Sequence, residues 1–208
     1  MRRPSLAERI IAILLLGCFY FFEVWTIVHG AEIPSPLATV KETVERLEKI
    51  VKDPKLAGEV KKHAREEEIR KLILERWDME HMARSALGRH WKARTDSERV
   101  EYVKAFSFYI DVQYRKMIFD TVQFVNSDGI RFLKERLDGE FAEVDLVIDY
   151  SPEDIKATFR LHLVDGHWKA HDVIVEGISQ VQNLRSQFDR VITKSSFAEL
   201  LRILRSKS

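Results

Sequence analysis

Histidines are the residues of this chain best suited to chemistry, because imidazole binds transition metals and moves protons near neutral pH. The chain has seven of them. His167 and His171 fall on one predicted strand, where a spacing of four residues puts same-face side chains about 13 Å apart, too far to share one zinc ion. His162 is expected to face solvent, and His81 and His90 lie in predicted helices without cysteine partners or a matching carboxylate pair. The pattern therefore predicts no metal site.

Two carboxylates near the end of that strand could act as an acid–base pair. Asp172 lies within the strand, and Glu176 precedes Gly177 at the junction with the next helix. A structural role is favoured, because a carboxylate at such a junction can accept hydrogen bonds from free N–H groups at the helix start. We assign that role to Glu176, with Arg185 as its candidate ion-pair partner. The alternative is an enzyme that uses a polar pair, for instance Asp172 with His90.

Other catalytic signatures are missing from the sequence. It contains no Gly-x-Ser-x-Gly, no phosphate-binding loop and no dinucleotide fingerprint. The single cysteine, Cys18, lies near the N-terminus, so the rest of the chain has neither a disulfide nor a thiol nucleophile. These patterns thus give no positive sign of catalysis or of a bound cofactor.

The N-terminal segment has the pattern of a targeting sequence. Residues 1–31 combine early arginines, an apolar stretch from Ile10 to Phe22 and small residues before Ala31, which predicts a cleaved signal peptide. Two alternatives stay open. The 19-residue stretch Ile10–Val28 is long enough to remain as a membrane anchor. The segment Leu15–Cys18 also resembles a lipoprotein cleavage box.

The charge balance excludes some partners. The chain has 34 basic and 33 acidic residues among 208. A protein that binds nucleic acid would show a basic surface, and one that docks on anionic lipid headgroups would show a basic cluster. Residues 32–208 are near neutral and long enough for one domain, which predicts no nucleic-acid partner.

Hydrophobic periodicity divides the domain into a helical part, a β part and closing helices. Helices are predicted over Leu37–Val51, Gly58–Trp77 and Met79–Leu87. The capping boxes Thr95–Glu98 and Ser196–Glu199 predict two further helix starts. On the first of these helices, the inward positions are predicted to be Val100, Val103, Phe106, Ile110, Met117 and Ile118.

Strict alternation of apolar and polar residues predicts the strands. Their predicted positions are Ile130–Leu133, Ala142–Tyr150, Ala157–Leu163 and Trp168–Val175. A helical period resumes at Ile178. A run of helices followed by a run of strands predicts the α+β class, with an antiparallel sheet and helices on one of its faces.

Two ordered blocks carry a family resemblance. The closing block reads Asp172-Val-Ile-Val-Glu-Gly-Ile-Ser179 followed by Asn183-Leu-Arg-Ser-Gln-Phe188, and the middle block reads Met82-Ala-Arg-Ser-Ala-Leu-Gly-Arg-His-Trp91. Together with Ala105-Phe106 and a terminal helix from Phe197 to Leu204, they resemble the MlaC-like family, also called the toluene-tolerance auxiliary family. These are periplasmic phospholipid-binding proteins of Gram-negative bacteria. The resemblance covers the chain from Ile33 to its C-terminus.

The resemblance implies an NTF2-like cone in which helices and a twisted antiparallel sheet enclose an apolar pocket. The resemblance implies a protein that is not an enzyme and needs no cofactor. The implied function is a shuttle that carries phospholipid, its cargo, across the periplasm in an Mla-type lipid-asymmetry system. Its implied partners are an inner-membrane ABC-type transporter with an MCE-type component and an outer-membrane lipoprotein–porin complex. Inward phase on the predicted elements selects as pocket lining Met82, Leu87, Phe106, Ile110, Tyr114, Val144, Leu146, Ile148, Phe159, Leu161, Val173, Val175 and Ile178.

Besides an enzyme that uses a polar pair on the same cone fold, two alternative functions remain. Some relatives are encoded beside hopanoid synthesis genes, so the cargo could be a polycyclic lipid instead of a phospholipid. The protein could also be a membrane-tethered interaction module with a filled core and no ligand, which would retain residues 1–31 as its anchor.

Overall fold

Six α-helices and five strands are the main elements in the part of the chain described by the structure, a computed structural model. The described residues are 33–122, 129–150 and 152–206, with the backbone alone described over 114–122. The helices are α1 (Pro36–Lys52), α2 (Lys62–Arg76), α3 (Met79–Leu87), α4 (Asp96–Val122), α5 (Gln180–Lys194) and α6 (Phe197–Ser206). The strands are β1 (Ile130–Asp138), β2 (Phe141–Ile148), β3 (Ile155–Val164), β4 (His167–Val175) and β5 (Ile178–Ser179). The predicted leader, residues 1–31, lies outside the described residues.

Side-chain caps set the helix starts where the sequence predicted them. The Asp78 carboxylate accepts a hydrogen bond from the N–H of His81 at 2.8 Å and so begins α3. Thr95 and Glu98 form the predicted capping box: Glu98 Oε2 accepts from Thr95 N at 2.8 Å, and Thr95 Oγ1 accepts from Glu98 N at 3.2 Å. Within the described ranges, no helix combines the length and the apolarity needed to cross a bilayer.

The strands form one antiparallel meander in the order β1-β2-β3-β4-β5, which confirms the predicted α+β class. Its register places Val144 opposite Phe159 and Phe159 opposite Val173. Residues directly opposite each other on adjacent strands point to the same side of the sheet, so these residues share one face, called here the inner face. The sheet starts with a longer strand than predicted, since β1 continues past a bulge that leaves Leu133 exposed.

The buried apolar residues form two separate clusters. A helical cluster joins α3, α4, α5 and α6, and its aromatic rings lie 5.9 to 6.5 Å apart around Tyr102 and Phe106. A sheet cluster joins the inner face to Val40 of α1. The opposite, outer face of β2 and β3 is polar: Arg136 and Arg160 both donate to the Glu143 carboxylate, and these guanidinium groups hold the pKa of Glu143 below its usual value.

A buried carboxylate joins the sheet to the helical cluster. Asp172, only 4% exposed, accepts hydrogen bonds from Ser179 Oγ at 2.6 Å and from Val181 N at 3.0 Å, in the first turn of α5. The sequence-based assignment of this role to Glu176 was wrong. Glu176 turns away at φ 47° and accepts from Lys156 N at 2.6 Å.

The prediction of an ion pair between Arg185 and Glu176 was also wrong. Arg185 Nε donates instead to the carbonyl oxygen of Ser85 at 2.7 Å. Arg185 also lies against Gly88, where an added Cβ would meet its Cδ and Nε at 3.1 Å. The two blocks that carry the family resemblance therefore pack directly on each other.

Two predicted inward positions are exposed in the structure. Val100 is 56% exposed because it lies about 120° around α4 from Phe106, outside the face that packs on α3 and α5. Ile178 is 59% exposed because its neighbour Ser179 points inward to Asp172, and adjacent side chains in a strand point to opposite sides.

Removal of the buried carboxylate is expected to destabilise the fold. Asp172→Ala leaves the Ser179 hydroxyl and the Val181 N–H without their acceptor, so the free energy of unfolding should fall by about 2–3 kcal/mol. Glu176→Ala, at an exposed site, is the matched control and should cost less than about 1 kcal/mol. Urea denaturation measures both, and equal losses would contradict the assignment.

The contact between the two sequence blocks is testable at Gly88. Gly88 and Gly58 both have positive φ, 57° and 81°, but a Cβ at Gly58 would meet nothing within 4 Å. Each change to alanine should therefore cost about 1–3 kcal/mol of backbone strain. Gly88→Ala should cost about 1 kcal/mol more, because it also displaces Arg185. If thermal unfolding shows that both variants lose the same stability, then Arg185 moves aside at little cost and the contact does not constrain residue 88.

Candidate functional site

The inner face of the sheet carries apolar side chains that are only half-buried. They come from all four long strands and from the first turn of α1, and they border the fully buried residues of the sheet cluster. The half-buried set is Leu37, Ile130, Phe132, Ile148, Phe159, Leu163 and Val173. In a filled core these side chains would have lost contact with solvent. Their shared position therefore marks an apolar surface that the described residues cover only in part.

The floor of this surface combines large and small residues. Val144, Leu146 and Leu161 are almost fully buried in it, and Ala142 and Ala157 lie beside them. Both alanines are almost fully buried as well. The floor is thus apolar and covered, in contrast to the half-buried side chains around it.

Trp77 closes one side of the surface. Its ring meets Phe159 edge-on, with ring centroids 6.1 Å apart. The chain continues at Asp78, whose N–H donates to the carbonyl oxygen of Ala170 at 2.8 Å. That hydrogen bond holds the α2–α3 junction against β4. The Trp77 side chain beside it is therefore fixed relative to the sheet.

A single glutamate interrupts the apolar inner face of β1. Glu135 is opposite Val144 in the register, and its carboxylate accepts a hydrogen bond from the N–H of Leu37 at 2.7 Å. A carboxylate is stabilised at a helix N-terminus by the free N–H groups there. Glu135 therefore anchors the start of α1 over the sheet.

The structure divides the predicted lining residues between two places. Six lie in or beside the sheet cluster: Val144, Leu146, Ile148, Phe159, Leu161 and Val173. Four lie in the closely packed helical cluster, apart from the inner face: Met82, Leu87, Phe106 and Ile110. Val175 is half-buried on β4, Ile178 is exposed, and the side chain of Tyr114 lies outside the described residues.

The site also contains residues that the sequence-based selection left out. The hydrophobic periodicity of the sequence already placed these residues on the inward side of their helix or strand. They are Leu37, Ile130, Phe132 and Leu163. What the sequence lacked was a way to decide which of two apolar clusters each element faces.

The polar pair suggested for an enzyme does not form among the described residues. His90 Nε2 lies 2.7 Å from Asp189 Oδ1, whereas Asp172 is occupied by the α5 cap. Asp189 also accepts from Arg89 at 2.8 Å, and these two partners hold its pKa below the usual value. The His90–Asp189–Arg89 contact joins α5 to the segment after α3 and serves packing.

Three histidines that the sequence kept apart are neighbours in the structure. His162 was expected to face solvent. Instead, α3 places His81 over the outer face, and the ring centroids of His81 and His162 are 4.4 Å apart. His171 lies beside both, at 4.6 Å from His81 and 5.4 Å from His162. The prediction that helices cover one face of the sheet therefore needs correction at this end, where α3 contacts the outer face.

Comparisons with known proteins agree with this architecture. The fold matches the phospholipid-binding protein from Ralstonia solanacearum, whose structure was determined in complex with a phospholipid at 1.53 Å resolution. The TM-score is 0.70 at 21% sequence identity, and the alignment covers 84% of this chain and 97% of that one. At this identity the likeness shows the fold. None of the curated proteins is similar enough in sequence to count as a match.

The sequence comparison confirms the resemblance found in the two blocks. The model of the family described as MlaC protein matches residues 41–206, well over half of the chain. The match runs from within α1 to the end of α6 and so includes both the helical cluster and the strands of the sheet. This protein therefore belongs to the MlaC family.

Proposed function

We propose that this protein binds a phospholipid on the inner face of its sheet and carries it across the periplasm. The observation that carries the proposal is the set of seven half-buried apolar side chains, six on that face and Leu37 in the first turn of α1. Membership of the MlaC family and the likeness to a phospholipid-binding protein support the same ligand class. The protein acts as a carrier, without chemistry on its cargo.

The hydrophobic effect explains why a carrier is needed. Transfer of a two-chain phospholipid into water exposes about 30 methylenes, which costs roughly 24 kcal/mol at about 0.8 kcal/mol each. The carrier must therefore shield most of both acyl chains. It need not bind more tightly than a bilayer does, since a lipid held much more strongly would never be released.

The side chains on the inner face suit such a cargo. Phe159, Val173 and Ile148 offer apolar contact without polar groups that would demand hydrogen bonds. Glu135, the carboxylate on this face, is engaged by Leu37 N and leaves the surface apolar. The phosphate headgroup then stays at the solvent side.

Transport requires a compartment and two partners. The signal peptide predicted in residues 1–31 supports export to the periplasm. The near-neutral charge of the domain gives it little electrostatic attraction to membranes, so direction must come from partner proteins. We assign these roles to an inner-membrane ABC-type transporter with an MCE-type component and to an outer-membrane lipoprotein–porin complex.

Native mass spectrometry tests the ligand directly. Protein purified from a bacterial periplasm should show one adduct of phospholipid mass, and lipid extraction of the same sample should return that phospholipid. A polycyclic lipid in the extract would reassign the cargo to the hopanoid class. A clean apo mass with an empty extract would favour a tethered module and overturn the carrier proposal.

Larger side chains on the inner face should exclude the cargo. Val173→Trp and Ile148→Trp each place an indole where the acyl chains are expected, so the protein should lose most of its co-purifying lipid while its melting temperature changes little. Leu133→Trp, at the exposed bulge of β1, is the control and should keep its lipid. Folded variants that carry full lipid would move the site elsewhere.

A further inference from the structure

Side chains from three elements converge on the outer face of the sheet, away from the proposed lipid surface. Asp78 begins α3, His81 lies in its first turn, His162 comes from β3 and His171 from β4. We propose that Asp78, His81 and His162 bind a divalent transition-metal ion of the zinc class, with His171 beside the fourth coordination position. The group lies on the face of the sheet opposite to the proposed lipid surface.

The distances suit a single ion. One potential ligand atom from each of Asp78, His81 and His162 lies within 4.8 Å of the other two. Asp78 Oδ2 and His162 Nε2 are already 2.9 Å apart. Ligand atoms at about 2.0–2.1 Å from one tetrahedral zinc ion stand about 3.3 Å from each other, so small side-chain rotations complete the geometry.

Local structure holds the ligands in place. Asp78 uses Oδ1 to accept from His81 N at 2.8 Å, which leaves Oδ2 directed at His162. His171 occupies a bulge, because Arg160 pairs with Asp172 and Leu161 pairs with Ala170. That extra residue brings a third imidazole to the group, which regular alternation would not have done.

The composition of the group favours a metal of this class. Imidazole and carboxylate together are the ligands of zinc and its neighbours, whereas calcium and magnesium prefer oxygen alone. All four side chains are half-buried, and Phe141 stacks on His162 with ring centroids 6.0 Å apart. Partial burial strengthens the attraction between an ion and its ligands, because water screens it less there.

A metal binds neutral imidazole and ionised carboxylate, and burial favours the neutral form at two of the imidazoles here. Burial, aided by the neighbouring His162, lowers the pKa of His81, and burial with both neighbouring histidines lowers the pKa of His171 to about 4. Burial alone would raise the pKa of Asp78, but the His81 N–H and the His162 ring bring it below its usual value.

A bound ion would connect the two halves of the domain. Asp78 and His81 belong to the helix that leads into the helical cluster, whereas His162 belongs to the sheet. An ion that binds only the folded state raises its stability by mass action. The metal should therefore act as a structural clamp between α3 and β3.

Calorimetry on the purified protein, after dialysis against a chelator, tests the site. Titration with zinc chloride should give one ion per chain, and saturating zinc should raise the melting temperature by several degrees. Cobalt(II) should give the visible absorption of tetrahedral coordination. His162→Ala should weaken zinc binding by about tenfold or more. His167→Ala, at an exposed histidine of β4 outside the group, is the control and should change nothing.

A second variant, Asp78→Asn, keeps the test decisive if His162→Ala fails to fold. Asparagine caps a helix as well as aspartate does, so α3 should persist while the anionic ligand is lost. Weaker zinc binding in a folded Asp78→Asn protein supports the site. The proposal is overturned if the parent protein binds no stoichiometric zinc, or if His162→Ala and His167→Ala bind zinc equally well.

Discussion

The buried carboxylate of Asp172 is the interaction on which the arrangement of the domain depends. It lies on β4 but accepts its hydrogen bonds from Ser179 and from the first turn of α5, so one group ends the sheet and begins the helix. The direction of α5 follows, and with it the position of the helical cluster that α5 shares with α3, α4 and α6. The third contact, from Arg160 at 3.5 Å, ties the same carboxylate to the polar outer face of β3.

The two apolar clusters differ in how completely they are buried. The helical cluster is closely packed around Tyr102 and Phe106 and supplies stability. The sheet cluster has a buried floor but a half-buried margin, and α1 lies over it with its start fixed by Glu135. A binding surface that must be apolar yet unfilled would weaken a small domain if it were the only core. A second, filled core removes that conflict.

Local signals were readable from the sequence, and long-range ones were not. The Thr95–Glu98 capping box and the alternation on β2 and β3 depend on neighbouring residues, so pattern alone located them. The choice between Asp172 and Glu176 as the helix cap depended on backbone direction after β4, which spacing does not encode. The histidine group needed both a bulge at His171 and the packing of α3 on the outer face. The division of the lining residues needed the same kind of tertiary information.

The contact between Ser85, Gly88 and Arg185 has a consequence for how this family evolves new cargo. The residues by which the family was recognised here are occupied with one another: an arginine side chain fills the space beside a glycine and bonds the preceding helix. They secure the scaffold at a distance from the inner face. Substitutions at Phe132, Ile148 or Val173 would reshape the proposed binding surface without touching that contact. Under the proposed function, the signature residues maintain the fold, whereas the residues of the inner face determine which lipid fits.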